Sequence, residues 1–261
     1  MIYRAKLFID RYLRARKLGI NFFGARFFKA PKAIKINDKL VNLSLPNEHG
    51  VKISFVDIFL DDVYKLELIK NIANKNNIKI KSIVDIGGNC GLFSIFSRIH
   101  FPISVIHCYE PNLFLNKYLK KNAFIGLFKY FNEAVGGYRR MVSLNIQSNN
   151  SVNSNVLEKK IGSTLQISFD TIYKRIKSNT IDIVKMDCEG SEWEILNKTK
   201  IWKNIKFLTM EYHLKKNKYN FNRVTKALDR IGFKLLTKID KSKKSNYGVV
   251  LACNPIHIFK S

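Results

Sequence analysis

The chain has 261 residues, 46% hydrophobic and 12% aromatic, which is enough to bury a sizeable core and excludes wholesale disorder. Lys and Arg number 46 against 20 Asp and Glu, a net charge of +26. Such a surface attracts nucleic acid, anionic lipid or acidic glycan, although a composition rich in Lys, Asn and Ile would produce the same excess. Cys90, Cys108, Cys188 and Cys253 stand singly, without a C-x-x-C pair, which argues against a zinc site and fits a reducing compartment. No uncharged apolar run has the length of a spanning helix, and basic residues interrupt the N-terminus where a signal peptide would be apolar. The expectation is a cytoplasmic protein.

Residues 1–40 form a basic leader in which eleven Lys and Arg, among them Arg4, Lys6, Arg11, Arg14, Arg16 and Lys17, face only Asp10 and Asp38. Ile2, Ala5, Ile9 and Tyr12 recur at helical spacing, and Phe22, Phe23, Phe27 and Phe28 follow. Such a segment can lie on an anionic membrane or contact nucleic acid. The favoured reading is a helix packed on the main domain with a solvated basic face. Residues 41–261 read as one domain. Within it Val51 to Ile58 reads as a strand and Asp61 to Ala73 as a helix.

Ile83-Val84-Asp85-Ile86 is then a buried parallel strand. It runs into Gly87, Gly88 and Gly91, and Leu92 to Phe96 opens a helix. Strand, glycine turn and helix bring backbone N–H groups against a nucleotide-like ligand, where a Cβ would block the turn or the approach. The G-x-G-x-x-G spacing of a dinucleotide site fails from either Gly87 or Gly88. What remains is Asp85-x-Gly87-x-Asn89-x-Gly91, with an acid in front that repels phosphate and suits a cationic amino-acid tail. S-adenosylmethionine (SAM) has that tail and no phosphate.

Ser104 to Glu110 reads as the next strand, with Pro111 at the first turn of the helix after it. Glu110 lies about 20 residues beyond the last glycine, where these folds hold a ribose by its hydroxyls. Phe128 to Phe131 is a third strand, after which Glu133 falls where it could reach an adenine edge. Tyr138 to Ile146 adds a strand, and Gln147 to Asn155 is a polar loop. Leu165 to Phe169 is another strand, with Asp170 capping a helix from Thr171 to Ile176.

Ile181 to Met186 is a buried strand that ends in the acids Asp187 and Glu189, the place where open α/β sheets gather reacting groups. Ser191 and Glu194 have capping-box spacing, and Glu192 favours a helix N-terminus electrostatically. A strand from Ile205 to Tyr212 leads into Glu211-Tyr212-His213. A helix from Phe221 to Ile231 follows, closed by Gly232, and then an antiparallel pair, Phe233 to Ile239 and Tyr247 to Ala252.

Val84 to Gly91, Tyr109-Glu110-Pro111-Asn112, Glu133-Ala134-Val135-Gly136 and Lys185 to Glu192 together resemble the FkbM family of SAM-dependent methyltransferases. Ser168 to Ile172 and Glu211-Tyr212-His213 are similar to later blocks of that family. Gly88 and Ser191 each stand where a small alanine is common in that family, and the leader lies outside the similarity. The resemblance implies an α/β fold of the Rossmann-like class I methyltransferase type. This is a seven-stranded, mostly parallel sheet with an antiparallel last strand and helices on both faces. It implies a SAM site at Asp85, Gly87, Gly88, Asn89, Gly91, Glu110, Pro111, Glu133 and Ala134. It also implies methyl transfer to a hydroxyl of a sugar, glycan or secondary metabolite.

An alcohol needs a base as its proton leaves. Asp187 is the first candidate and His213 the second, on an unperturbed pKa near neutral. A divalent cation held by Asp187, Glu189 and Glu211 is an alternative way to acidify the hydroxyl, and it is not the expected one. The competing substrate is RNA, at a ribose hydroxyl, on the strength of the charge. Base-amine chemistry is disfavoured because the fourth-strand site reads Asp187-Cys188-Glu189-Gly190, with no aromatic to stack a base. A non-catalytic module that keeps the fold is a third class, against which Asp85 and Glu110 both weigh.

Overall fold

The computed structural model describes residues 2–24, 28–36, 39–145, 155–157, 162–214, 220–240 and 247–259. The chain begins with α1 (Ile2–Lys17), the hairpin β1 (Ala33–Ile36) and β2 (Lys39–Asn42), and α2 (His49–Phe55), which runs directly into a π-helical turn, Val56–Leu60. Then come α3 (Leu66–Lys75), β3 (Ser82–Ile86), α4 (Leu92–His100), β4 (Val105–Tyr109), α5 (Asn116–Gly126) and β5 (Lys129–Phe131). β6 (Ala134–Gly136), β7 (Arg140–Asn145), β8 (Asn155–Leu157) and β9 (Thr164–Ser168) follow. The chain continues through α6 (Phe169–Ile176), β10 (Ile181–Met186), α7 (Glu192–Lys198), β11 (Ile205–His213) and α8 (Phe221–Arg230). It ends with β12 (Lys234–Asp240), β13 (Tyr247–Cys253) and α9 (Pro255–Ile258).

The main sheet has seven strands in the order β12-β13-β11-β10-β3-β4-β5. All neighbours are parallel except that β13, last in the chain, runs antiparallel between β11 and β12. This is the Rossmann-like arrangement the resemblance implies. From β3 the chain steps outward through β4 and β5, then returns to place β10 on the other side of β3. That reversal opens a crevice beyond the carboxyl ends of β3 and β10. A smaller sheet, β6-β9-β7-β8, is inserted between β5 and β10. Two of its strands, β7 and β9, are legible in the sequence; β6, β8 and the separation from the main sheet are not. The polar loop read at Gln147 to Asn155 lies almost entirely outside the described residues, as does the link between β12 and β13.

Alternation along β3 divides the core between the two faces of the sheet. Ile83 joins a cluster with Phe55, Phe59, Phe93 and Phe96, whereas Val84 and Ile86 join one with Val184, Met210 and Trp202. The leader contributes to the first cluster through Ala15, Leu18, Phe22, Phe28 and Ile34. A file of rings from Phe22 through Phe28, Phe55 and Phe59 to Phe96, with centroids 4.6–5.7 Å apart, ties it to the helix after the glycine turn.

Four local readings are corrected. Val51 to Ile58 is helical, because Phe55 and Phe59, one helical turn apart, stack at 4.6 Å and bury together. The short alternation in that stretch is overridden by this stripe. The helix read from Asp61 starts only at Leu66, after a turn in which Asp62 and Lys65 take positive φ. Pro111 leads into a 3-10 turn, Leu113–Leu115, capped by Asn112, and α5 begins afterwards. The helix read from Thr171 starts at Phe169, with Ser168 rather than Asp170 at the cap position.

Asp62 is buried, and its carboxylate accepts from the N–H groups of Leu66 and Glu67 at 2.8 and 3.0 Å, closing the first turn of α3. Asp62→Ala is expected to cost about 0.5–2 kcal/mol of unfolding free energy in urea titration, the range for a lost helix cap.

Candidate functional site

The strand register builds the site. Asp85 pairs with Lys185 and Ile86 with Met186, while Ile86 also pairs with Tyr109 and Met186 with Met210. The next residue on each strand, namely Gly87, Asp187, Glu110 and Glu211, therefore arrives at one level, the first three just beyond their strands and Glu211 still within β11. These residues line a single cavity of about 550 Å³, well within the size of small-molecule sites (roughly 300–1,000 Å³).

The glycine turn is shaped mainly by its protein neighbours. Gly87 has φ +72°, and a Cβ there would sit 1.7 Å from the Asp187 carbonyl oxygen. At Gly88 a Cβ would lie 2.1 Å from the Cys108 sulfur, so the small residue expected here must be glycine because Cys108 fills the space. Gly91, φ +85°, backs onto Phe128 and Leu119 and does not line the cavity. The N–H groups of Gly87 and Gly88 are both taken by the Tyr109 carbonyl at 3.0 and 3.1 Å.

Behind the turn lies a residue that the sequence reading did not single out. The buried Lys185 ammonium donates to the carbonyls of Gly87 (2.7 Å) and Ile86 (3.2 Å). It also pairs with Asp85 at 3.3 Å and approaches Asp187 at 3.7 Å. Burial opposes its charge, but the two carboxylates outweigh that and hold its pKa above the ordinary lysine value. A lysine ending a buried strand was the available signal, since an unpaired ammonium is too costly to bury. Asp85 is fully buried between Lys185 and the Ser94 hydroxyl (2.8 Å). The direct contact with a cationic tail read from its position is corrected: its charge is spent on the turn.

Glu110 is buried at the cavity wall, where burial pushes its pKa up to about 7 against the N–H groups of Asn112 and Asn89. Asn89 donates to one carboxylate oxygen at 2.8 Å and Asn112 to the other at 2.9 Å. Each oxygen keeps a lone pair for a further donor. Asn89 itself has φ +50°, with its side-chain oxygen accepting from the Cys90 N–H. Pro111, Glu133 and Ala134 line the same wall. The Glu133 carboxylate is gripped by Arg175, one contact of that pair measuring 3.1 Å.

The opposite wall is an acidic pole. The Tyr64 hydroxyl donates to Asp187 at 2.8 Å. Glu189, with φ +52°, is pushed up to a pKa of about 8, first by burial and then by Asp187. His213 stands among three carboxylates: Glu192 at 3.1 Å on Nδ1, and Glu189 at 3.3 Å and Glu211 at 3.5 Å on Nε2. Burial alone would lower its pKa, but Glu192 and Glu211 outweigh it and raise it to about 11. That raised pKa weighs against His213 as a second base, since it favours the protonated ring at neutral pH. Ligand atoms of Asp187, Glu211 and His213 lie within 4.8 Å of one another, a set able to hold a cation only if that proton left. The capping box is also corrected. Ser191 stands at the N-cap position of α7 but makes no side-chain cap hydrogen bond, Glu194 pairs with Arg140 at 3.0 Å, and Glu192 is a buried partner of Cys188 N–H and His213.

The residues suit a nucleoside bearing an amino-acid tail. They offer a glycine turn without side chains, a carboxylate with spare acceptor capacity and a cavity of matching size, and the N–H groups of Gly87 and Gly88 that a pyrophosphate would use are already taken by the Tyr109 carbonyl. Comparison with known proteins gives the same class. The family described as Methyltransferase FkbM domain matches residues 85–235. Among curated proteins none matches the sequence. The precorrin-6y C5,15-methyltransferase of Geobacter metallireducens is similar in structure at 11% identity, with 71% of this chain and 85% of that one covered and a TM-score of 0.40. Fibrillarin of Aeropyrum pernix, solved with natively bound S-adenosyl-L-methionine, is similar at 11% identity over 73% of this chain and 75% of that one, TM-score 0.41.

Lys185→Met should leave Asp85 as an uncompensated buried charge. The expected loss is about 3–5 kcal/mol of unfolding free energy by urea denaturation at neutral pH, well beyond a surface ion pair.

Proposed function

Because the chain belongs to the FkbM methyltransferase family, using S-adenosylmethionine as methyl donor, we propose that its acceptor is a hydroxyl of a sugar, glycan or other small hydroxylated metabolite. The observation that carries this reading is the acidic pole of Asp187, Glu189 and Glu211 facing the cofactor wall across one cavity. When bound, the cofactor supplies an electrophilic methyl group on a positively charged sulfur.

The chain's own residues supply the rest. Glu110 accepts from the ribose hydroxyls through the lone pairs its two N–H donors leave free. Ala134 and the Glu133–Arg175 pair close the side where the base sits, and Gly87, Gly88 and Asn89 form the floor. Asp187 takes the proton of the acceptor hydroxyl, with its carboxylate oriented by the Tyr64 hydroxyl and the Lys185 ammonium. Glu189 and Glu211 accept from neighbouring hydroxyls and fix the acceptor's orientation, while His213, held by Glu192, keeps them in place. Positioning of this kind is worth on the order of 7–11 kcal/mol in a displacement reaction, more than the base itself.

The net charge of +26 favours RNA as the acceptor instead. Against it, the carboxylates that surround the reacting position oppose the approach of phosphates. Mass spectrometry of glycan and RNA extracts after incubation with isotope-labelled cofactor decides between them. Label confined to RNA would overturn the hydroxylated-metabolite reading.

Asp187→Asn is expected to lower turnover by roughly 10²–10⁴-fold with cofactor affinity by calorimetry unchanged. Glu189→Gln, which mimics the protonated acid, should retain most activity near pH 7. The reverse pattern would make Glu189 the base. Cofactor affinity should fall as pH drops through about 7, because protonating Glu110 removes a lone pair offered to the ribose. Glu110→Ala should weaken binding and abolish that pH dependence.

A further inference from the structure

We propose that α1 is a peripheral membrane anchor that lays its outward face on an anionic lipid surface. The sequence leads one to expect this helix to pack on the domain and show water a basic face. The structure divides the residues differently. Arg11 turns inward to a two-point pair with Asp61, each contact 2.6 Å. Arg14 likewise turns in, to the Leu60 carbonyl at 2.9 Å and Glu67 at 2.7 Å. Ala15 and the following Leu18 are buried beside them.

The outward face is apolar. Phe8, Ile9, Tyr12 and Leu13 lie at the spacing of one helix face and are 45%, 53%, 43% and 50% exposed. Phe23, just beyond the helix, is 80% exposed. Lys6, Arg16 and Lys17 flank this stripe in solvent, with Asp10 the one exposed acid on the helix among the described side chains. An apolar stripe flanked by lysine and arginine on an anchored helix is the pattern of an interfacial helix. No helix among the described residues is long and apolar enough to cross a membrane, so α1 would lie on the surface.

Charge selects the occupant. A second copy of a chain carrying +26 is repelled from this face, whereas an anionic bilayer attracts the basic flank and takes up the apolar centre. RNA would satisfy the flank but leave Ile9 and Leu13 without an apolar partner. The anchor is rigidly tied to the active site. α1 rests on the π-helical turn Val56–Leu60, whose Asp57 and Ile58 line the cavity.

The test is co-sedimentation of the full chain with phosphatidylcholine vesicles, with and without phosphatidylglycerol, at low and high salt. The intact protein should bind the anionic vesicles, and less so at high salt. Ile9→Gln/Leu13→Gln replaces only exposed side chains and should weaken binding by at least about ten-fold with an unchanged melting temperature. Arg16→Glu/Lys17→Glu should also lose binding, whereas Lys120→Glu/Lys121→Glu, an equal charge change at exposed positions on α5, should keep most of it. No binding by the intact protein, or equal loss in both charge variants, would overturn the proposal. So would a dimer in sedimentation velocity that the Ile9→Gln/Leu13→Gln variant splits, which would assign the face to a second copy.

Discussion

A buried ammonium holds the two halves of this active site together. Lys185, next to last on β10, reaches across to β3, where it bonds the carbonyls of Ile86 and Gly87 and neutralises Asp85. Its remaining attraction is to Asp187, on its own strand. Desolvating a lysine and an aspartate together is costly, and the pair persists because the geometry also satisfies two backbone carbonyls. The result is a turn whose shape depends on the strand that carries the catalytic candidate. Gly87 and Asp187, on the two sides of the cavity, are thus tied to the same ammonium.

The acidic pole shows the converse arrangement. Glu189, Glu211 and Glu192 converge on one imidazole, and the Glu189 pKa is raised by its burial and then by Asp187, against which His213 pulls the other way. Such a cluster works against stability. It also gives the cavity a charge opposite to that of the chain as a whole, which carries a net +26.

The leader is part of the same core. Phe22 and Phe28 extend a file of aromatic rings that passes through Phe55 and Phe59 to Phe96 on α4, the helix that follows the glycine turn. Burial of this file also explains why Val51 to Leu60 is helical. A strand would send Phe55 and Phe59 to the same side about 13 Å apart, whereas a helix stacks them.

The strands β3, β4, β10, β11 and the terminal pair were legible from composition alone. Branched apolar runs bounded by turn residues have few other uses, and the failed dinucleotide spacing with Asp85 in front pointed away from a pyrophosphate. Glu110 was singled out by its distance from the last glycine, and Asp187 and Glu189 because strand ends in such sheets point into one crevice. What tertiary structure decided was partnership. Whether Asp85 meets a ligand or a lysine, whether His213 is a base or a captive cation, and whether Glu192 caps a helix or braces that ring depend on strand register. That register joins residues about a hundred positions apart, such as Asp85 and Lys185, and hydrophobic pattern along one segment carries no record of which charge will face it.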